Sequence, residues 1–355
     1  MTTDLPYPAG WTLPSGRPRD VLCVGTAIVD HLVLVPDGLP GELGFAKGSM
    51  NLVDVAGAAA IRTAVGEGRE RSGGTVANTA VGVASLGGRA VFVGSVADDA
   101  EGAGYAADLE AAGVQAILER HPAGDGEART GRCVVMVTPD AERTMATALG
   151  LGPYLDHAAI DAALVGQVKL AFLDGYVLDF PDAPAILDRL VGAAEEAGTV
   201  LAFGLADAFA VERHRARVEG LVGGPVGLCF ANEAEATTLT GAADGAAAAS
   251  VLAREGVVAV VTRGAAGAVV ATAAGRIEVP AEPVAEVVDA TGAGDLFTAG
   301  FCFGVARGVG LGRAARLGGL AASEVIGHLG ARPEQSLARL AEARGLLEPA
   351  PGGRR

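Results

Sequence analysis

From Val21 onward, short runs of β-branched residues alternate with alanine-rich stretches whose apolar positions recur at helical spacing. A chain patterned this way has few options. Strands buried on both faces need helices to cover them, so the pattern predicts an α/β fold, a three-layer α/β/α domain. The spacing predicts strands over residues 21–24, 90–93, 169–173, 199–203, 226–230, 257–261, 268–271 and 284–288. Helices are expected over residues 76–86, 100–112, 183–197, 233–239, 293–307, 311–326 and 334–344.

Two segments break the rhythm. Residues 31–55 are rich in glycine and proline, and residues 130–148 hold a hairpin pattern around Pro139 and Asp140. Inserted strands of this kind are expected to form a small β-rich lid over one edge of a main domain spanning residues 21–345, a device that excludes water from a site. Its free edges are also suited to pairing in a homodimer. Residues 1–20 and 346–355 read as a flexible extension and a flexible tail.

The net charge of −15, from 42 acidic against 27 basic side chains, sets a field that repels nucleic acid and anionic membrane. A polyanionic ligand therefore needs local help: helix N-terminal amides, an arginine or a divalent cation. Cys23, Cys133, Cys229 and Cys302 are far apart in sequence and sit in apolar runs, the pattern of buried thiols in a reducing cytoplasm. The first residues carry prolines at 6, 8, 14 and 18 without an apolar core, and no run approaches a spanning helix. A soluble, cytoplasmic protein is expected.

The most informative string is Asp289-Ala-Thr-Gly-Ala-Gly-Asp295, placed between a valine-rich run and an apolar helix. Gly292, Ala293 and Gly294 let the backbone approach a ligand, and their amides lie at the positive end of a helix dipole, suited to a phosphoryl group. Asp295 in the first turn is placed to take a proton from an attacking alcohol. The plainer reading is an acidic residue stabilising a helix start.

Four weaker strings precede or follow helices. In Ser72-Gly-Gly-Thr-Val-Ala-Asn78, Gly73 and Gly74 permit close approach and Asn78 offers a donor and an acceptor to hydroxyls. Gly25-Thr26 to Asp30 ends the first strand, where α/β sheets place ligands, and Asp30 suits a vicinal diol or a simple turn. Asn232 and Glu235 share a helix face and suit either water-mediated magnesium contacts or a capping box. Thr262, Arg263, Gly264 and Gly267 follow a strand; Arg263 suits phosphate oxygens or an ordinary tight turn.

In this order the strings resemble the ribokinase-like (PfkB) family of carbohydrate and nucleoside kinases over residues 21–340. Arg129-Thr-Gly-Arg-Cys133, Glu142-Arg-Thr-Met145, Lys47-Gly-Ser-Met50 and Gly330-Ala-Arg332 are similar to the adenosine kinase branch. The resemblance implies ATP as donor, Mg2+ as counter-ion and a nucleoside or sugar as acceptor. It implies Asp295 as base, Gly292 to Gly294 as anion hole, and Asp30, Gly74 and Asn78 at the acceptor hydroxyls. Asn232 and Glu235 would organise Mg2+ through water, and Thr262 and Gly264 would edge the nucleotide. A monovalent cation such as K+ near Asp289 and Thr291 occurs in parts of that family. Where the adenosine kinase branch commonly has asparagine, this chain has Thr26, which keeps a hydroxyl but loses reach and an amide donor. Adenosine phosphorylation, a sugar kinase of the same fold and a non-catalytic binding protein are the three functions these features allow.

Overall fold

The computed structural model describes residues 5–9, 11–254 and 256–348. The strands in chain order are β1 Arg19–Val24, β2 Ile28–Leu34, β3 Met50–Leu52, β4 Arg69–Gly73, β5 Ala90–Ala97, β6 Gln115–His121 and β7 Gly131–Val137. They continue as β8 Arg143–Ala148, β9 Val168–Asp174, β10 Val200–Gly204, β11 Val226–Asn232, β12 Val258–Thr262, β13 Ala268–Thr272 and β14 Gly275–Val279. Nine of them form one sheet in the order β14-β13-β12-β11-β10-β9-β1-β5-β6. All neighbours from β12 through to β6 pair parallel, and β13 and β14 close one edge antiparallel.

Alternation along β1 shows why helices must lie on both faces. Leu22 and Val24 enter one apolar cluster with the Ala183–Ala197 and Gly245–Leu252 helices. Val21 and Cys23 enter the other, with the Thr75–Ser85 and Ala293–Ala306 helices. The Ala293–Ala306 helix is buried at every position from Leu296 to Ala306. It lies between the sheet, the Thr75–Ser85 helix and the Leu311–Val325 helix, which explains its apolar character all round. The start of this helix is therefore held rigidly at the edge of the core. The four cysteines are free and buried.

The other five strands form a second, smaller sheet in the order β3-β8-β7-β2-β4. Its outer face packs Val33, Val35, Val134, Met136 and Ala146 against Ile61 and Val65 of the Val55–Val65 helix. The sequence pattern located the β7–β8 hairpin but not β4 or this helix, so the inserted layer is larger than segments 31–55 and 130–148.

Three further expectations are corrected. Residues 284–288 form no strand; Val287 and Val288 are partly exposed, because β14 already occupies the edge and valine's β preference finds no pairing partner. Within residues 1–20, Leu5, Tyr7, Trp11 and Leu13 pack on the second apolar cluster, and the Trp11 indole N–H donates to the Gly256 carbonyl at 3.0 Å, so the described part of the extension is docked. At the other end Leu346 is buried and its carbonyl accepts from Arg313 at 2.8 Å, while residues 349–355 of the expected tail lie outside the described residues. No helix among the described residues is long and apolar enough to cross a membrane.

Candidate active site

The C-terminal ends of β1, β9, β11 and β12 point to one side of the large sheet, as expected for ligand sites in parallel α/β folds. They bring Thr26, Asp174, Asn232 and Thr262 to the same region as the start of the Ala293–Ala306 helix. The inner face of the small sheet stands opposite. Between them lies a cleft of ≈ 380 Å³ walled by Asp30, Asn78, Arg143, Asp174, Glu235 and Asp295, among others.

Gly292 opens the helix with φ 78°, a left-handed conformation that suits glycine. A Cβ there would also lie 2.5 Å from the Ala331 Cβ, so the turn packs directly on the 330 loop. Ala293 N–H makes a long 3.4 Å bond to the Ala290 carbonyl. Among the described residues, the amides of Gly292, Gly294 and Asp295 donate to no protein acceptor, and all three residues line the cleft. Gly294 is exposed, with nothing within 4 Å of a Cβ position.

Asp295 accepts a 2.8 Å hydrogen bond from Asn78 Nδ2, and its carbonyl accepts from the Thr79 hydroxyl at 3.2 Å. Burial pushes its carboxyl up to about 6, against the opposing pull of the Asn78 bond and the charges of Arg143 and Arg332. A carboxylate so placed is a competent proton acceptor near neutral pH. The Asn78 Oδ1 is buried with no partner, an acceptor left for a hydroxyl from the cleft.

Asp30 faces the same space from β2. A Cβ on Gly73 would lie 2.0 Å from Asp30 Oδ2, so Gly73 serves by vacating the volume that the carboxylate fills. Burial raises the Asp30 carboxyl to about 7, Arg332 opposes the rise, and Asp295 and Asp289 add to it. Thr26 and Gly74 also line the cleft.

Asn232 and Glu235 form a full capping box: Asn232 Oδ1 accepts from Glu235 N–H at 2.9 Å, and Glu235 Oε2 accepts from Asn232 N–H at 3.0 Å. Both also line the cleft, so the structural and functional readings coexist. Burial raises Glu235 to about 7, with Asp207 and Asp295 adding to the rise. Asp174, at the end of β9, is raised to about 7 by burial and by Asp295. A wall of destabilised carboxylates is chemistry that fits a hydrated divalent cation, which would hold them ionised.

The other nucleotide-side expectations separate. Thr262 lines a second cavity of ≈ 110 Å³ that shares Asp174, Glu235 and Asp295 with the cleft. Arg263 is a correction: its guanidinium donates to Glu278 at 2.8 Å on β14, because the tight turn points it along the sheet edge. Gly264 and Gly267 build that turn, and neither is among the residues walling the two cavities. Thr291 lines the cleft, with its N–H donating to Asp289 Oδ1 at 2.9 Å. Asp289 Oδ2 accepts from Gly330 N–H at 2.8 Å, so each oxygen of the carboxylate implied near a monovalent cation already has a protein donor.

Asp174, the last residue of β9, was missed by sequence reasoning although it carries the signal expected of Asp30, an acidic residue ending an apolar strand; Asp30 is instead the third residue of β2, because β1 stops at Val24. Arg143 and Arg332 were noticed only as parts of strings. Nothing local in sequence reveals that both lie near Asp295.

Residues 46–337 match the model of the pfkB family carbohydrate kinases. The chain belongs to that family. A probable sugar kinase from Rhizobium etli CFN 42 superposes with a TM-score of 0.88 at 36% identity, covering 93% of this chain and 100% of that one. The adenosine kinase from Sinorhizobium meliloti superposes with a TM-score of 0.87 at 39% identity, over 92% and 99%. A cytidine kinase from Thermococcus kodakarensis is 43% identical over 104 residues, 28% of this chain and 37% of that protein. The bifunctional protein HldE of Caulobacter vibrioides is 32% identical over 271 residues, so the match spans 72% of this chain and 52% of that longer protein.

Proposed function

We propose that this chain transfers the γ-phosphoryl group of ATP to the 5′-hydroxymethyl group of a nucleoside, with adenosine as acceptor and AMP and ADP as products. The observation that carries the reading is Asp295, hydrogen-bonded to Asn78 at 2.8 Å and within one turn of the unpaired amides of Gly292 and Gly294. In this reading Asp295 takes the hydroxyl proton as the acceptor oxygen bonds to phosphorus and the bond to the β-phosphate oxygen breaks. The amides of Gly292 to Gly294 hold the equatorial oxygens of the transferred group.

Asp30 accepts from the ribose hydroxyls, and the unpartnered Asn78 Oδ1 accepts another hydroxyl. Arg143, on the small sheet, approaches the developing charge as that sheet closes as a lid. Asn232 and Glu235 would hold Mg2+ through water, and the ion when bound supplies charge neutralisation of the phosphates.

The acceptor end of the cleft favours a nucleoside over a bare sugar. Met50, Leu52, Val135 and Met145 form an apolar wall on the small sheet, and Met50 and Leu52 are 42% and 59% exposed, a surface suited to covering a flat base. The similarity to the S. meliloti adenosine kinase supports this choice. A sugar kinase is the second reading, supported by the similarity to the R. etli protein and by Thr26 in place of asparagine. Incubating purified protein with ATP, Mg2+ and adenosine, cytidine, inosine, ribose or fructose in turn separates the two. Adenosine turnover well above every sugar is expected. Turnover of a sugar without adenosine would replace the first reading with the second.

A further inference from the structure

Arg332 follows the 330 loop that packs on the Gly292 turn, and its side chain crosses to the loop before the Thr75–Ser85 helix. Its Nε and Nη2 donate to the Ser72 carbonyl at 2.8 and 2.6 Å, Nη2 donates to the Ser72 hydroxyl at 2.8 Å, and Nη1 donates to the Ala77 carbonyl at 3.1 Å. Ser72 is held from the other side by Asp108, which accepts from its N–H at 3.0 Å and from its hydroxyl. The guanidinium thus joins the 330 loop to residues 72–77 and holds the helical turn that presents Asn78 to Asp295.

Among the described residues every hydrogen bond that Arg332 makes is to a neutral oxygen, and it forms no direct ion pair. Holding carbonyls does not demand a full charge, and leaving one buried is costly unless other charges use it. The charged and titratable groups facing it are Tyr105, Asp108, Asp30 and Asp295. Asp30 in turn faces Arg332, Asp295, Asp289, Tyr105 and Cys133, and Asp295 faces Arg143, Arg332, Asp30, Asp174 and Glu235 as well as Asn78.

We propose that Arg332 is a positioning residue for phosphoryl transfer: it ties the anion-holding turn to the acceptor loop and supplies the positive charge against which Asp30 and Asp295 work as a pair. The proposal rests on the phosphoryl-transfer reading. Two carboxylates facing one cleft repel each other, and a cation beside both lets both stay ionised. Arg332 lowers the pKa of each, acting against burial. Removing it is expected to raise both and move the loss of activity on acidification to higher pH.

The test is the pH profile of kcat/KM for wild type, Arg332→Met and Arg332→Lys, with whichever acceptor the wild type uses. Absence of turnover by wild type on every nucleoside and sugar tried would defeat the kinase reading itself, a result distinct from any behaviour of the variants. With an active wild type, Arg332→Met is expected to lose about 10²-fold in kcat/KM at neutral pH and to show its acidic limb displaced upward by about half a unit or more. Arg332→Lys keeps the charge and loses the fork, so its acidic limb should stay near wild type while kcat falls about tenfold. An unmoved limb in Arg332→Met, with loss confined to thermal stability, would overturn the proposal. If Arg332→Met does not fold, Arg332→Lys decides alone: kcat equal to wild type, or a limb displaced upward despite the retained charge, overturns it.

Discussion

The two walls of the cleft differ in how much of their surface is held by directional bonds and how much is apolar. On the large-sheet side each reactive group is held by named bonds: Asp295 by Asn78, Asp289 by Thr291 and Gly330, Glu235 by Asn232. On the small-sheet side Asp30 of β2 and Arg143 of β8 stand beside Met50, Leu52, Val135 and Met145, an apolar surface that is in part exposed. Directional bonds fix atoms to within tenths of an ångström, which phosphoryl transfer needs, whereas apolar surface adapts its shape to what it covers. The contrast teaches that reaction type and acceptor choice are separable here. One resides in the rigid wall and the other in the adaptable one.

The strongest way to break that separation is at the rigid wall. Asp295→Asn preserves the hydrogen bond from Asn78 but removes the base, so turnover should fall about 10²- to 10⁴-fold with acceptor and ATP affinities little changed. Near-normal turnover would remove Asp295 from the chemistry. On the small-sheet side Asp30→Ala should act on acceptor binding instead, raising the acceptor KM about 10- to 100-fold through lost bonds to a charged group, with a smaller change in kcat. An unchanged KM would place the sugar hydroxyls elsewhere.

At the adaptable wall the effects should be smaller and selective. Met50→Ala combined with Leu52→Ala is expected to raise the nucleoside KM about 3- to 10-fold while leaving the apparent KM for ATP as in wild type. Equal losses for both substrates would show that this wall shapes the whole site and not acceptor choice.

The smallest effect concerns stability. Asp295 has a folded pKa raised from 3.8 to about 6, so it favours the folded state fully at low pH and loses that contribution as pH rises through this interval. Ligand-free Asp295→Asn should therefore unfold at a higher temperature than wild type, with a gap that opens between those two values and persists above them. A gap that closes toward alkaline pH would contradict the sign of this linkage.

What could be read from sequence divides along the same line. The β1, β9, β10, β11 and β12 strands and their helices were legible because burial on both faces writes itself as continuous apolar runs and regular helical spacing. Asp289 to Asp295 was legible because glycines, a helix start and an acidic residue fall within seven positions of one another. The small sheet was only half legible. β4 reads Arg-Glu-Arg-Ser-Gly, a strand with little apolar signature that exists because β2 offers it a pairing edge. The role of Arg332 was hidden for a different reason: its partners Ser72 and Ala77 lie 260 and 255 residues away, and no local pattern reports a contact of that span. Arg263 misled because an arginine after a strand looks the same whether it faces a ligand or, as here, Glu278.

A crystal structure with a nucleoside and a non-hydrolysable ATP analogue would show whether both reactants meet at the start of the Ala293–Ala306 helix. The 5′-hydroxyl oxygen is expected within hydrogen-bond distance of the Asp295 carboxylate, and the terminal phosphate on the amides of Gly292 to Gly294. A terminal phosphate bound away from that helix start, or a hydroxymethyl group out of reach of Asp295, would contradict it.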